Sequence, residues 1–165
     1  MYELKPLNQK AIPLALMKGE HYRLLADPEA AESICHDILA VEPENQEALV
    51  LLLLSLTDQF DRECTQAFAR ALDIAKKLTN PYQRVYYQGL VYERRGRYQL
   101  SKEGPNSRAI AFDYFHKGMA YYGVAEPLRP PQNDDAILRW NTCAREIMKQ
   151  HLEPIREQFV PQFQE

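Results

Sequence analysis

The chain has 165 residues, of which 45% are hydrophobic and 26% are charged. It is long enough to form one domain with a sizeable core, and its composition excludes a disordered chain. A net charge of −3 and a pI of about 5.9 make a nucleic-acid partner unlikely on composition, because such domains are usually basic. Its longest apolar run, residues 48–54, is too short to span a membrane, and residues 1–10 lack the pattern of a signal peptide.

Prolines and small polar residues mark the ends of the predicted helices. Asp27 and Asn80 each precede a proline, which places a capping side chain before a residue that suits the first helical turn. Pro43 should end the second helix, and Gly96 should end the fifth. We predict helices near residues 9–25, 28–41, 45–58, 62–79, 81–95, 107–122, 134–152 and 154–160, with no strand, and therefore an all-α fold.

A spaced pattern of small and aromatic residues occurs in two parts of the chain. One copy reads Ala15-x3-Gly19-x2-Tyr22 and then Ala31-x3-Cys35-x2-Ile38; the other reads Val85-x3-Gly89-x2-Tyr92 and then Ala111-x3-Phe115-x2-Gly118. Both copies resemble the tetratricopeptide repeat (TPR), a helix-turn-helix unit of about 34 residues. The resemblance implies one α-solenoid of antiparallel helix pairs over residues 1–165. Its repeats would span about residues 12–45, 46–80 and 82–124, with capping helices in residues 134–165.

The repeat pattern also predicts how individual residues pack. Gly19 and Gly89 should lie where helices approach closely, since a helical glycine otherwise costs about 1 kcal/mol; the alternative is that Gly89 only punctuates its helix. Tyr22 and Tyr92 should bury their rings between helices. Cys35 should be a small buried hydrophobe. The second repeat aligns either through Cys64, Phe68 and Ala71 or through Ala67, Ala71 and Ile74.

An insertion of about ten residues, 99–108, interrupts the third repeat. It contains the loop signal Gly104-Pro105-Asn106, and Ser107 should cap the helix that follows. Insertions in repeat proteins often lie on the binding face. The segment is therefore either a solvated loop or part of a functional surface.

The TPR resemblance implies that the first helices of successive pairs line a concave groove. The alignment turns the following side chains into it: Leu16, Glu20, Arg23, Val50, Leu54, Thr57, Tyr86, Leu90, Glu93, Arg94, Leu138, Thr142 and Arg145. The residues that we expect to contact a partner are Leu16, Glu20, Arg23, Leu54, Tyr86, Leu90, Arg94 and Arg145. The implied function is that of a non-catalytic adaptor or chaperone, which binds a peptide or helical segment of another protein.

Charge suggests one alternative function. Residues 1–80 carry thirteen acidic and eight basic groups, whereas residues 81–165 carry ten and twelve. The basic residues of the third repeat lie among tyrosines and are Arg84, Arg94, Arg95, Arg97, Lys102 and Arg108. Arginine beside tyrosine suits an acidic peptide or stacked single-stranded RNA, so the alternative is an RNA-binding helical-repeat module.

The sequence carries no pattern typical of catalysis or of metal binding. Cys35, Cys64 and Cys143 are odd in number and lack CxxC spacing, which disfavours a disulfide framework and a zinc site. The four histidines are scattered, and no HExxH, GxSxG or GxGxxG motif occurs. We therefore expect a cytoplasmic protein that is not an enzyme and holds no metal or cofactor.

Overall fold

The computed structural model describes residues 2–155, which are all-helical and contain no strand, as the sequence predicted. The α-helices of this range are α1 (Ile12–Leu24), α2 (Pro28–Val41), α3 (Gln46–Thr57), α4 (Phe60–Lys77), α5 (Pro81–Leu100), α6 (Ser107–Ala125) and α7 (Asp135–Lys149). Short 3₁₀ helices, Gln9–Ala11 and Glu126–Leu128, precede α1 and follow α6. In the predicted last helix, residues 154 and 155 are not helical, and residues 156–160 lie outside the described residues.

Side-chain caps confirm the predicted starts of α2 and α5. The backbone N–H of Ala30 donates a hydrogen bond to Asp27 Oδ1 at 3.1 Å, and that of Gln83 donates one to Asn80 Oδ1 at 3.1 Å. Each cap satisfies an N–H group that the first turn leaves without a helical acceptor. Both helices therefore begin at the proline that follows the cap.

The predicted end of α5 at Gly96 is wrong, because the helix continues to Leu100. A Cβ at Gly96 would lie 3.2 Å from atoms of the Phe115 ring. The glycine thus lets α6 pack closely on α5 and does not end the helix. The loop between these helices is consequently residues 101–106, shorter than the predicted 99–108.

The prediction that Ser107 caps α6 is also wrong. It lies in the first turn of α6, where it is buried and its hydroxyl accepts a hydrogen bond from Gln99 Nε2 at 3.3 Å. Asn106 holds the position before the helix with φ of 65°, and its side chain makes no capping hydrogen bond. Asparagine tolerates this left-handed conformation better than most residues do. Ser107 therefore ties the start of α6 to the end of α5.

Each helix packs on the one that follows it, and α1–α3, α3–α5 and α5–α7 are also in contact. The predicted close approaches are confirmed at both glycines. A Cβ at Gly19 would lie 2.6 Å from Leu51 Cδ2, and one at Gly89 would lie 2.8 Å from Tyr122 Cε1. Gly118 faces Gly89 from α6, where a Cβ would stand 3.1 Å from the Gly89 carbonyl oxygen. The α5 and α6 backbones thus meet with no side chain between them.

The buried apolar side chains form two clusters. The first lies mainly among α1–α4 and includes Cys35, which is fully buried as predicted. Its α3 members surround that helix, which four other helices contact, and they are Ala48, Leu49, Leu51, Leu52, Leu53 and Leu56. The second joins α5, α6 and α7 and comprises Tyr82, Ala111, Phe115, Tyr122, Ala125, Ala136, Cys143 and Leu152. The α4 members of the first cluster are Phe60, Cys64, Ala67, Ala71, Ile74 and Ala75, and they include residues from both predicted alignments of the second repeat.

The two tyrosines expected between helices differ in their burial. Tyr92 is half-buried, and its ring packs on Phe68, Tyr114 and Tyr121 with centroids 5.4 to 6.4 Å apart. Tyr22 is 39% exposed, so the prediction of a buried ring is wrong there. Its helix, α1, packs mainly on α2 and α3, which leaves the opposite side of α1 open to solvent.

Candidate functional site

Side chains from α1, α3 and α5 line an open cavity of about 420 Å³, which we call the groove. Its lining residues are Glu20, Arg23, Leu24, Gln46, Glu47, Val50, Leu51, Leu54, Gln83 and Tyr87. Half of these are apolar or aromatic, and the rest are charged or amide side chains. Such a mixture suits a partner that combines an apolar side chain with polar groups.

Three of the eight residues predicted to bind a partner line the groove, namely Glu20, Arg23 and Leu54. They come from α1 and α3, which the TPR alignment treats as the first helices of two successive pairs. Tyr87 also lines the groove, although the prediction chose its neighbour Tyr86. Burial raises the pKa of the Tyr87 hydroxyl, and so does the charge of Asp135.

The structure places four of the other predicted residues in the interior or away from the groove. Leu90 is buried at 3% exposure, and Leu16 is buried at 8%, although Leu16 lines a second cavity described below. Tyr86 stacks on Tyr82 with ring centroids 5.5 Å apart and packs against the second cluster. Burial raises the pKa of its hydroxyl to about 12. Arg145 is exposed on α7 and is not among the groove's lining residues.

Arg94, the last predicted residue, shares a carboxylate with Arg23 at one end of α3. Arg23 Nε donates to Asp58 Oδ2 at 2.7 Å, while Arg94 Nη1 donates to Asp58 Oδ1 and, at 2.7 Å, to Thr57 Oγ1. Asp58 thus joins α1, α3 and α5. Sequence reasoning missed this aspartate because nothing in its local spacing distinguishes it from a solvated one. Both arginines already have an anionic partner within the chain.

A second cavity, of about 530 Å³, adjoins the groove and shares two of its residues, Glu20 and Glu47. Its lining residues are Gln9, Ile12, Pro13, Leu16, Met17, Glu20, Glu42, Asn45 and Glu47. Glu42 accepts hydrogen bonds from Asn45 Nδ2 at 2.8 Å and from Gln9 Nε2 at 3.0 Å. These two hydrogen bonds lower the pKa of Glu42, so its carboxylate stays ionised at neutral pH.

Most of the basic residues in the predicted third repeat are engaged within the chain. Arg84 Nε donates to the Leu78 carbonyl at 2.8 Å, and Arg108 donates to that of Gln150. The Arg95 guanidinium lies 5.3 to 5.5 Å from the ring centroids of Phe68, Tyr98 and Tyr114, while Lys102 lies 4.6 Å from that of Tyr98. Together with the pairing of Arg94, these contacts leave no continuous stripe of free cations along the described part of α5.

Glu93 is fully buried, although the TPR alignment placed it in the predicted concave groove. Its carboxylate accepts a hydrogen bond from the Tyr122 hydroxyl at 2.8 Å and from Arg97 Nε and Nη2, both at 3.1 Å. An ion pair with Arg139 Nε at 3.3 Å adds α7. Burial raises the pKa of Tyr122, and the charge of Glu93 raises it further. The network stabilises the junction of α5, α6 and α7.

The acidic, histidine and cysteine side chains of residues 2–155 bear on metal binding and on thiol chemistry. No group of three or more His, Cys, Asp or Glu side chains in this range could hold a metal ion. Burial raises the pKa of Cys35 to about 12, which disfavours the reactive thiolate. None of the helices within the described residues combines the length and the hydropathy needed to cross a membrane.

Comparison with protein-family models, with curated proteins and with solved structures found no match. We therefore infer the function from the groove and its charges.

Proposed function

We propose that the chain is an α-solenoid of antiparallel helix pairs similar to the TPR family. In a solenoid each unit contacts only its neighbours, and here α1, α3, α5 and α7 touch in succession while each helix also packs on the next. Gly19 and Gly89 lie at close helix contacts, as a TPR-like pattern requires. The single domain over residues 1–165 and the cytoplasmic location stay predictions.

We further propose that the protein is a non-catalytic adaptor or chaperone that binds a segment of another protein in the groove. The observation that carries this proposal is the groove, in which one exposed leucine and several part-buried apolar side chains lie beside charged ones. Leu24, for example, is 85% exposed and stands beside Arg23 and Leu54 in the lining. Apolar side chains surrounded by polar groups are typical of protein-binding surfaces.

A charge placed in the groove should abolish binding while leaving the fold intact. We expect Leu24→Glu to lose partner capture from native extract, because the carboxylate would be desolvated against an apolar partner side chain. Leu25→Glu is the matched control, since Leu25 is also exposed, at 62%, and does not line the groove. Equal capture by both variants, with unchanged circular dichroism, would exclude the groove as the binding site.

Nuclease treatment of the extract tests the RNA-binding alternative in the same experiment. The intramolecular partners of Arg84, Arg94, Arg97 and Arg108 favour a protein partner, since single-stranded RNA needs free cations along its backbone. We therefore expect capture to survive nuclease. Loss of the captured species after nuclease treatment would favour RNA.

A further inference from the structure

The charges at the junction of the two cavities indicate what kind of segment the groove binds. Glu20 and Glu47 are exposed and line both cavities. Within residues 2–155 neither carboxylate has a hydrogen-bond or ion-pair partner, in contrast to the engaged arginines of α5. Glu42, in the second cavity, accepts hydrogen bonds only from neutral amides. The junction therefore carries negative charge that the described part of the chain does not neutralise.

Positive charge in the lining is already engaged. Arg23 is the one basic residue that lines either cavity, and its guanidinium donates to Asp58. Its charge is thus largely compensated at the end of α3, away from Glu47 at the start of that helix. A partner that brought an acidic group to the junction would meet two carboxylates and no free cation. A basic group would gain charge-assisted hydrogen bonds.

Apolar walls lie on both sides of the acidic junction. The groove presents Leu24, Val50 and Leu54, and the second cavity is lined by Met17 and by the buried Ile12. Met17 is 66% exposed, so part of this apolar surface faces solvent. Two separate apolar walls suit two apolar side chains with a charged residue between them. A free amine or a metal ion would leave both walls without a contact.

We propose that the groove binds a protein segment in which a lysine or arginine stands between two large apolar residues. The basic side chain lies between Glu20 and Glu47, one apolar side chain lies against Leu24 and Leu54, and the other lies against Met17. This inference rests on the proposed protein-binding function and specifies the chemistry of the partner. Complementary charge at the junction fixes the register of the segment, while the apolar contacts contribute most of the affinity.

A peptide array tests this proposal with defined probes. The central residue of each nonapeptide is lysine, arginine, glutamate or serine. On each side of it, at a distance of two to four positions, one residue is fixed as leucine or as serine. All remaining positions carry mixtures of amino acids. We expect peptides with a basic centre and two leucines to bind about ten-fold more tightly than those with a glutamate centre, as two ion pairs of about 0.7 kcal/mol each would give. The preference should shrink at high salt.

The double variant Glu20→Gln with Glu47→Gln should weaken the best peptide about ten-fold in fluorescence anisotropy. Its control is Glu103→Gln with Asp113→Asn, which removes two exposed charges from the loop before α6 and from α6 itself. Equal binding of peptides with basic and acidic centres, or an unaltered double variant, would overturn the charge assignment. If Leu24→Glu still abolished binding in that case, the proposed function would stand without the charge assignment. An array with no binding at low salt would overturn this inference, whereas the capture experiment with Leu24→Glu and Leu25→Glu decides the proposed function separately.

Discussion

Gly89 lies where α5 and α6 meet without room for a side chain. A Cβ there would stand 2.8 Å from Tyr122 Cε1 and 3.2 Å from the Gly118 carbonyl oxygen. The Tyr122 ring cannot move aside freely, because it is buried and its hydroxyl is bound to Glu93. We predict that Gly89→Ala lowers the free energy of unfolding by about 1–3 kcal/mol in a urea titration.

Gly123 provides the matched control for this substitution. It also lies in a helix, α6, but a Cβ at Gly123 would meet no atom within 4 Å. Gly123→Ala should therefore raise the free energy of unfolding by up to about 1 kcal/mol through helix propensity alone. A Gly89→Ala chain as stable as the Gly123→Ala chain would contradict the close contact.

At the scale of the helices, Glu93 joins three elements through one buried carboxylate. Glu93→Gln removes the charge that Arg97 and Arg139 share and weakens the acceptor of the Tyr122 hydroxyl. We predict a loss of about 2–3 kcal/mol in the free energy of unfolding, together with faster hydrogen exchange of the α7 amides.

An exposed ion pair gives the comparison for Glu93. Glu29 pairs with Arg62, and both side chains are more than half exposed, at 63% and 59%. Glu29→Gln should cost less than about 1 kcal/mol, because water screens the pair and solvates each partner alone. If Glu93→Gln cost no more than Glu29→Gln, the carboxylate would not hold the junction.

The starts of α2 and α5 were predictable from local sequence, whereas the end of α5 was not. Asp27 and Asn80 act within a single turn, so a few neighbouring residues determine what they do. Gly96 acts through Phe115, which belongs to another helix, and a glycine that ends a helix has the same local signature as one that allows close packing. Proximity to Phe115 decides between these roles, and it exists only in the folded chain.

For the molecule as a whole, burial couples stability to alkaline pH. It raises the pKa of Cys35, Cys143 and Tyr86 to about 12, from ordinary values of 9 for cysteine and 10 for tyrosine. The folded chain therefore holds these protons more tightly than the unfolded chain does. Stability is fully present below about pH 9 and falls as the pH rises toward 12.

We predict that Tyr86→Phe reduces the loss of stability between pH 8 and pH 11, since the phenyl ring keeps the packing and has no proton to lose. Urea titrations at pH 8, 10 and 11 measure the effect. Tyr2→Phe should leave the pH dependence unaltered, because Tyr2 is fully exposed. An identical alkaline loss in Tyr86→Phe and the unsubstituted chain would show that the Tyr86 hydroxyl titrates normally.

The groove was partly predictable at this scale, and its charges were not. The resemblance to the TPR family implied that Glu20, Arg23 and Leu54 face a partner, and all three line the groove. Which charges stay free depends on pairs such as Arg94 with Asp58, which are 36 residues apart in sequence. Nothing in the local sequence indicates such a pair, so the acidic character of the groove appeared only in the structure.

Packing of each helix on its successor determines how fast the chain can fold. Contacts between neighbouring helices close short loops, so little chain entropy is lost before the first contacts form, and low contact order of this kind favours fast folding. The first cluster nevertheless includes Val91 of α5. During synthesis, the amino-terminal helices can therefore pair as they emerge, but their core closes only after α5 has left the ribosome.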